Sequence, residues 1–557
     1  MLAVLLGFGL FVLVCFLALY LGMTAQQQVR LSLHQSLHDH SKYVRFMQDK
    51  HDLNRLGYAQ QLTRRLNGFS VFAVPFSGMS VMTGAALLLL PALAQGGPWL
   101  LSFGWPILGL FTLLVACSHA AQSSAYPTAG GIYHSTVAAG GRRTGITAGW
   151  LQFLGTLFLL AGSNLLLAYW LTSTIAVMGS FELERWHFLG LLAGLYASQY
   201  LYSVRAASSL GRYLTGTAWM QVAAIVLTLV LLSISRWGGY LPLTEMFRWH
   251  HPFDVSGGSS SLASALTGLL LLARPLMGAE HTATLAEETV DPRIQIPWAI
   301  FLSTVYVFIF GYILFAILFI HYPLVPDQHV TWQLLLDDIA SRWELWGDWL
   351  SPLCMVIVLW SGWSSGLVAM TAASRLWLAM SRDETVPLAR LGTKVSRRWR
   401  VPHVALFGAA GLSMLAAFLL LAIHDNGETE LAICVQLLAL GMLGLHGAAW
   451  ISVGARRIAS IRHKTLAAGP WQLGVWGPIV EYAALGFLLL MIGGAAWLLT
   501  ASSWLVVGVA LITIWLATVR RIRHSRRKEF VKATGANRFS RRQLEELIQI
   551  ERNYTEL

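Results

Sequence analysis

Long apolar runs constrain the fold of this chain more than any other feature of its sequence. A helix that crosses about 30 Å of hydrocarbon needs about 20 consecutive, mostly apolar residues. Thirteen runs are of that kind: residues 2–23, 68–92, 99–121, 147–178, 186–203, 213–235, 262–285, 297–320, 350–377, 403–423, 430–453, 477–499 and 503–519. These runs predict an all-α polytopic membrane protein.

The composition excludes several other classes of protein. Of the 557 residues, 56% are hydrophobic and 12% are charged, whereas about a quarter of the residues in a soluble domain are charged. This composition therefore excludes a disordered chain, an ordinary nucleic-acid-binding protein and a soluble multidomain enzyme. The four cysteines lie far apart in or beside apolar runs, as buried small hydrophobic residues do: Cys15, Cys117, Cys354 and Cys434. We expect neither a disulfide framework, nor a metal site, nor a cofactor.

The distribution of basic residues predicts the orientation of the chain. If the spans alternate in direction, 34 of the 39 Lys and Arg residues fall on one side. Cytoplasmic loops are enriched in Lys and Arg, so the N-terminus is expected outside and the C-terminus in the cytoplasm. The net charge of +12 then records topology and requires no nucleic-acid partner. The sequon at Asn553 falls on the cytoplasmic side, which favours a plasma membrane of the bacterial inner-membrane type.

The domain boundaries follow from the same runs. Residues 1–23 are expected to form an extra N-terminal transmembrane helix rather than a signal peptide, because no basic residue precedes the run and no small-x-small cleavage site follows it. Residues 24–66 form a basic connector, in which the apolar spacing from Asp52 to Leu66 suggests an amphipathic helix on the membrane face or a solvated segment. A twelve-helix core follows at 67–520. The basic tail at 521–557 either contacts anionic lipid or is solvated, and the N-terminal helix could bind a protein partner.

Small and hydroxyl residues interrupt the second run. The segment from Phe76 to Gly84 reads Phe-Ser-Gly-Met-Ser-Val-Met-Thr-Gly. A broken helix is tolerated at membrane depth where it lines a cavity, and the amino end of the half-helix that follows would favour a carboxylate. Close helix packing through small residues is the alternative interpretation.

A second interruption contains ionisable residues. Pro275 and Gly278 disturb the run at 262–285, because proline lacks an amide donor and clashes with the preceding turn. Arg274, Glu280 and His281 lie within the same run, where ionisable groups are costly and mark functional sites. The alternative interpretation is that Arg274 and Glu280 form an ion pair whose role is only to hold the broken helix together. The two interruptions fall in the first and sixth core spans, as in an inverted repeat of five plus five helices.

Four motifs carry a resemblance to a known family. They are Leu56-Gly57-Tyr58 with Gly96-Gly97-Pro98; Tyr126-Pro127 with Gly130-Gly131; Gly278-Ala279-Glu280 with Glu287-Glu288-Thr289 and Pro292; and Ser374-Arg375 with Ser381-Arg382-Asp383 and Pro387. In this order they resemble the amino acid–polyamine–organocation (APC) superfamily, and within it the amino acid, γ-aminobutyrate and choline permease branch. The resemblance covers roughly residues 52–520.

The resemblance implies secondary active transport of a small amino-acid-like solute by alternating access. The residues that match the family's substrate-binding segments are Ser80, Val81, Met82, Thr83 and Gly84 in the first core span and Met277, Gly278, Ala279, Glu280 and His281 in the sixth. Ala279 and Arg274 depart from the family pattern, which often has aromatic residues there. An arginine in the cavity would bind an anion, so we hypothesise a substrate with an extra negative group.

The coupling ion is left open between a proton and sodium, and exchange is a further alternative. Ser364 and Ser365 lie on the eighth core span, where the resemblance implies a sodium site, while Glu280 or His281 could carry a proton. His119 and His446 are interpreted as packing or pore-lining residues.

Other classes of function find little support in the sequence. The histidines between residues 34 and 51 have no adjacent carboxylate set that completes a metal site, and neither a phosphate loop nor a nucleophile elbow is present, so we expect no enzyme. A sensor built on a transporter fold, or a carrier of choline or a polyamine, are the alternatives to an amino acid permease.

Overall fold

The computed structural model describes residues 2–34, 42–179, 185–205, 207–235, 241–247, 262–321, 347–423, 430–464, 466–524, 545 and 548–552. Within these ranges the chain is mostly helical, and ten helices are long and apolar enough to cross a membrane. The all-α polytopic architecture predicted from the apolar runs is thereby confirmed.

Besides the helical residues 548–552, eighteen α-helices of the described residues are numbered in chain order. They are α1 (Leu2–His34), α2 (Lys42–Arg55), α3 (Phe69–Met79), α4 (Val81–Leu87), α5 (Leu89–Gly96), α6 (Trp105–Ala125), α7 (Ile132–Gly140), α8 (Arg142–Gly179), α9 (Arg185–Arg205), α10 (Ala207–Ser235), α11 (Leu262–Ala273), α12 (Pro292–Ile320), α13 (Gly347–Arg382), α14 (Ala389–Gly392), α15 (His403–Ile423), α16 (Glu430–Ile461), α17 (Gly477–Trp497) and α18 (Ala501–His524). A π-helical segment, Leu100–Gly104, leads into α6, and 3₁₀ segments occur at Leu243–Phe247, Arg274–Leu276, Ala279–Glu288 and Gly474–Trp476.

Three of the thirteen predicted spans are not among the ten apolar spanning helices. The run at 186–203 is the polar-ended helix α9, which begins and ends with arginine. The run at 262–285 is divided between the 12-residue α11 and two 3₁₀ segments. The last run lies in α18, whose apolar stretch is the shorter Ala501–Thr513.

The N-terminal region differs from its predicted boundaries. Helix α1 continues to His34, beyond the predicted end at residue 23. The amphipathic helix expected over Asp52–Leu66 is instead α2, Lys42–Arg55, and Gly57 with φ 88° follows its end. The spaced apolar side chains Leu53, Leu56, Tyr58, Leu62 and Leu66 are buried against the protein. Their spacing reflects contact with the helix bundle, and they do not form a membrane-facing helical stripe.

Helix α1 packs along the bundle through small residues. Ala18 and Ala25 are buried in one apolar cluster with Leu113 and Ala120 of α6. A Cβ atom added at Gly22 would lie 3.2 Å from the Phe301 ring of α12. The extra helix is therefore seated on the core and does not stand apart from it.

Helices α8 and α16 approach each other closely at glycines. A Cβ atom added at Gly155 would lie 2.5 Å from the amide nitrogen of Leu445, and one at Gly444 would lie 2.6 Å from the Cα atom of Gly155. Small residues allow this kind of backbone contact between membrane helices. The contact fixes α8 and α16, which carry Ser163 and His446, against the centre of the bundle.

Candidate substrate site

The first core span is broken at Ser80, between α3 and α4. Ser80 has φ 52° and ψ 73°, a left-handed conformation that is uncommon for a residue other than glycine. Its hydroxyl donates to Thr83 Oγ1 at 2.6 Å and lies 2.6 Å from Ser361 Oγ of α13. The predicted interruption is thus a real break, and it is tied to the eighth core span by hydroxyl contacts.

The sixth core span is broken over a longer stretch. Helix α11 ends at Ala273 and a single 3₁₀ turn follows. Met277 is then extended, and Gly278 has φ 104° before the second 3₁₀ segment begins at Ala279. His281 Nε2 lies 3.4 Å from Thr156 Oγ1 of α8.

A small central cavity lies between the two breaks. Its lining includes Ser80, Thr83 and Gly84 of the first break with Arg274 and Pro275 of the sixth, and its volume is about 20 Å³. A cavity of this size holds a water molecule, whereas an amino acid needs the surrounding helices to separate. The conformation is therefore occluded around the site.

Arg274 occupies the wall of this cavity and is held by hydroxyl groups. It donates to Ser163 Oγ at 2.9 and 3.3 Å and to Ser365 Oγ at 2.8 Å. Ser365 in turn donates to the carbonyl oxygen of Gly78 at 2.6 Å. This chain of hydrogen bonds connects the sixth, eighth and first core spans through one buried cation.

Arg274 and Glu280 do not form an ion pair within the described residues. Ala273, Leu276, Met277 and Glu280 line a second cavity of about 50 Å³, whereas Arg274 faces the central one. The broken segment therefore separates the two charged side chains into different cavities. This geometry does not fit the alternative interpretation, in which Arg274 and Glu280 pair with each other and only hold the broken helix together.

The other predicted site residues divide into two groups. Ser80, Thr83, Gly84, Arg274 and Ser365 line the central cavity. Val81, Met82, Met277, Gly278, Ala279, Glu280, His281 and Ser364 are absent from its lining. Ser364 bonds instead to Tyr213 of α10 at 2.7 Å and to its own helix at the Trp360 carbonyl, so only one of the two predicted serines reaches a first-span carbonyl.

Sequence reasoning missed Ser163 and Ser361, which hold Arg274 and Ser80 respectively. Ser163 lies beside Asn164 in an otherwise apolar stretch of α8, and Asn164 exchanges hydrogen bonds with Gln199 at 2.9 Å. The two adjacent polar residues, Ser163 and Asn164, in an apolar stretch are the sequence feature that could have indicated Ser163 as a site residue. Among the described residues, no group of three or more His, Cys, Asp or Glu side chains could hold a metal ion.

The end of the bundle covered by residues 56–66, which we name the connector face, carries a dense polar network. Leu66 donates its amide to the Glu288 carbonyl at 3.0 Å, and Val290 donates to the Leu66 carbonyl at 2.9 Å. Arg64 adds a 2.6 Å hydrogen bond to the Thr289 carbonyl. The connector is thereby bound to the end of the sixth-span 3₁₀ segment.

Two ion pairs join the same segment to α13, and that of Glu288 is buried at both ends. Glu287 pairs with Arg382 at 2.8 Å, and Glu288 pairs with Arg375 at 2.7 Å. Arg382 also donates to Gln61 at 2.9 Å. The family-like Glu-Glu and Ser-Arg motifs therefore meet at the connector face.

Asp383 lies at the centre of a third cluster on this face. Its carboxylate accepts hydrogen bonds from Tyr58 at 2.9 Å and Tyr133 at 2.9 Å, and His134 Nε2 lies 3.3 Å away. Burial alone would raise the pKa of Asp383, but the hydrogen bonds and charge of His134, with the two tyrosine hydroxyls, lower it below its ordinary value. The connector, α7 and α13 thus share one ionised carboxylate.

Asp49 of α2 shows the opposite shift. Burial raises the pKa of Asp49 to about 6, and this effect exceeds the opposing influence of Arg64 and of a hydrogen bond from the Asp291 amide. Arg64 is 3.9 Å away, so the pair is loose.

Comparison with known proteins decides the family. A family profile described as "Amino acid permease" matches residues 66–519, which include both breaks and the α13 motif. The chain belongs to the amino acid permease family. The resemblance seen in the four motifs is confirmed, and the protein is a membrane transporter of amino acids.

Several relatives of this permease cover most of its length. It is 25% identical to the GABA-specific permease of Saccharomyces cerevisiae over 80% of this chain and 77% of the relative. It is 27% identical to amino-acid permease BAT1 of Arabidopsis thaliana over 78% and 85% of the two chains. An Oryza sativa homologue of BAT1 is 26% identical over 78% and 84%.

Proposed function

We propose that this permease carries an amino acid with an additional negative group, as an acidic amino acid has. The observation that supports the proposal is Arg274, a buried guanidinium on the wall of the central cavity. No carboxylate of the described residues lies within ion-pair distance of it. An uncompensated buried charge is costly, and a substrate carboxylate would compensate it.

The hydrogen bonds of Arg274 favour this role. Its Nε and Nη2 atoms are occupied by Ser163 and Ser365, and Nη1 has no hydrogen-bond partner among the described residues. Hydroxyl groups orient the guanidinium but leave its charge unneutralised. The group is therefore positioned to meet a carboxylate with at least one free donor.

We also propose that the connector face is cytoplasmic and that the N-terminus is outside. The uneven distribution of Lys and Arg supports this orientation. Transport then requires the connector face to open, which separates the ion pairs of Glu287 and Glu288 from α13. The relatives named above come from a yeast and two plants, and a bacterial inner membrane stays a prediction.

A counterflow panel in proteoliposomes tests the substrate class. Glutamate should exchange better than its neutral isostere glutamine, and γ-aminobutyrate belongs in the panel because one relative's name states that specificity. Arg274→Gln should weaken glutamate exchange roughly 10- to 100-fold, since a hydrogen bond to a charged group is worth about 1.5–3 kcal/mol.

The exposed Arg390 on α14 provides a matched control. Arg390→Gln should leave the whole panel unchanged. Equal loss of glutamate and glutamine exchange in Arg274→Gln would mean that Arg274 supports the fold and does not select the substrate. Unchanged glutamate exchange would overturn the proposal directly.

A further inference from the structure

A cavity of about 430 Å³ lies between α6, α16 and α17 at one end of the bundle. It is much larger than the cavities at the sixth-span break, and its size is that of sites which bind small molecules. Residues between α16 and α17 close one side of it, and Arg293 donates to the Ala468 carbonyl of this segment at 3.1 Å. Arg293 also pairs with Asp52 of α2 at 3.3 Å. The cavity therefore lies at the same end of the bundle as the connector face.

The segment that closes the cavity is anchored to α6. The side chain of Trp471 is fully buried, and its backbone amide donates to Ser124 Oγ of α6 at 3.0 Å. A Cβ atom added at Gly469 would overlap the same Ser124 hydroxyl, so the backbone packs directly against the helix. An anchored wall makes the cavity a preformed site, and preformed sites bind ligands at a lower cost in ordering.

The cavity carries more positive than negative charge. Arg456 and Arg457 share the carboxylate of Glu481, and one nitrogen of each guanidinium lies 3.2 Å from one carboxylate oxygen. The Lys464 ammonium donates to two carbonyl oxygens at the end of α7, at 2.6 and 3.3 Å, which leaves its charge unneutralised. Three cationic side chains thus line the cavity with one carboxylate. The resulting excess of positive charge favours an anionic occupant.

Arg457 has a buried donor that no group in the described residues satisfies. Its side chain is 11% exposed, and its Nε atom is buried without a hydrogen-bond partner there. Leaving such a donor unpaired is costly. A guanidinium binds a phosphate group through two adjacent N–H groups, and Nε supplies one member of such a pair. The unsatisfied donor therefore favours a phosphate oxygen at this position.

Apolar surface adjoins this charged cavity. Ile458 and Ile461 of α16, with Ile479 and Tyr482 of α17, are each more than half exposed. The Arg457 guanidinium lies 5.5 Å from the centre of the Tyr482 ring. Both helices are long and apolar enough to cross a membrane, so these side chains would face lipid. A soluble phosphate compound gains nothing from such a surface, whereas a phospholipid can place its acyl chains along it.

We propose that this cavity binds the phosphate headgroup of an anionic phospholipid. Arg456 and Arg457 bind the phosphate oxygens, Lys464 adds a third positive charge, and Glu481 orients the two arginines. Basic pockets between membrane helices recognise anionic headgroups in this way. In the orientation proposed above, the lipid belongs to the cytoplasmic leaflet, whose surface is negatively charged.

Lipid titrations of the purified full-length protein in detergent test the proposal. Native mass spectrometry gives the dissociation constants of dioleoylphosphatidylglycerol and dioleoylphosphatidylcholine, which share their acyl chains and differ in net charge. We expect the anionic lipid to bind at least about tenfold more tightly, because hydrogen bonds between charged groups contribute a factor of that order. Arg457→Gln should remove most of this preference, and Lys464→Gln should reduce it less. Equal affinity of the unaltered protein for the two lipids would overturn the proposal.

Arg462→Gln is the matched control. Arg462 is an exposed arginine of the same region that does not line the cavity, so this variant should keep the full preference. An equal loss in Arg457→Gln and Arg462→Gln would show that diffuse surface charge attracts the lipid, against the proposal. Binding of glycerol 3-phosphate as tight as that of the lipid would show that the cavity takes a soluble phosphate, and the assignment to a lipid would be wrong.

Glu481→Gln provides a test that does not depend on the stability of the arginine variants. It removes the carboxylate that competes with the phosphate for both arginines, so phosphatidylglycerol should bind more tightly to it than to the unaltered protein. A cluster with a purely structural role predicts unchanged or weaker binding, which would contradict the proposal. None of these measurements involves transport, so a failure of the substrate proposal for Arg274 leaves them intact.

Discussion

The connector face and the central cavity differ in whether their arginine side chains are paired with carboxylates. At the connector face, Arg375 and Arg382 are each paired with a carboxylate at 2.7–2.8 Å. In the central cavity, the hydrogen bonds of Arg274 within the described residues go to the hydroxyl groups of Ser163 and Ser365. Paired charges hold helix ends together, and an unpaired charge keeps its capacity to bind. On the proposed function, the connector face is a gate that must be stable until it opens, and the central cavity is a site that the substrate completes.

The largest effect is expected from breaking a pair at the connector face. The side chains of Glu288 and Arg375 are 2% and 1% exposed, so Glu288→Gln leaves a buried guanidinium without its carboxylate. We expect the free energy of unfolding to fall by about 3–5 kcal/mol, measured by thermal unfolding of the purified protein in detergent. The double substitution Glu288→Leu with Arg375→Met should recover part of this loss, because it leaves no buried charge.

The exposed Arg390→Gln again serves as the control and should leave the unfolding midpoint unchanged. A Glu288→Gln variant as stable as the unaltered protein would show that the pair does not hold the connector face together. The contrast with the central cavity would then lose its energetic basis.

Both helix breaks were predictable because local sequence causes them. Serine and glycine at 77–80, and Pro275 with Gly278, weaken a helix wherever they occur. The direction of each side chain at the breaks was not predictable, because it depends on which neighbouring helix supplies a partner. Ser365 reaches the Gly78 carbonyl whereas the adjacent Ser364 turns to Tyr213, and no local pattern distinguishes them.

In the connector, local periodicity predicted the wrong secondary structure. The spacing of Leu56, Leu62 and Leu66 fits an amphipathic helix, yet these residues lie in a non-helical segment. Its backbone instead bonds to Glu288 and Val290, more than 200 positions away, and the Arg64 side chain donates to the Ala286 and Thr289 carbonyls. Tertiary contact of this kind overrides local periodicity, as the buried side chains confirm.

Asp49 makes the connector face sensitive to pH. The folded protein raises the pKa of Asp49 to about 6, so the folded state retains a proton that the unfolded state releases between the ordinary aspartate value and pH 6. Stability therefore falls as pH rises through that window. Relative to Asp49→Asn, which does not titrate, we expect the unaltered protein to lose up to about 3 kcal/mol from pH 4 to pH 7.

Thermal unfolding across this pH range measures the effect, and Asp52→Asn is the matched control at a half-buried carboxylate on the same helix. The stability of the unaltered protein relative to Asp49→Asn could instead stay constant or rise with pH. Such a result would show that the folded protein does not favour the protonated form of Asp49. The pair with Arg64 would then resemble the tight pairs of Glu287 and Glu288.

The smallest effect is expected in the central cavity, at Ser365. Ser365→Ala removes one hydrogen bond to Arg274 and one to the Gly78 carbonyl, but Ser163 still holds the guanidinium. Because one net hydrogen bond is worth about 1 kcal/mol, counterflow affinity for the best-exchanged amino acid should weaken about fivefold. The unfolding midpoint should fall slightly, since the folded protein also loses the hydrogen bond to the Gly78 carbonyl. Ser364→Ala, whose hydroxyl faces α10, should change affinity less. If Ser364→Ala weakened binding more than Ser365→Ala does, the substrate would bind nearer α10. The proposed position beside Arg274 would then be wrong.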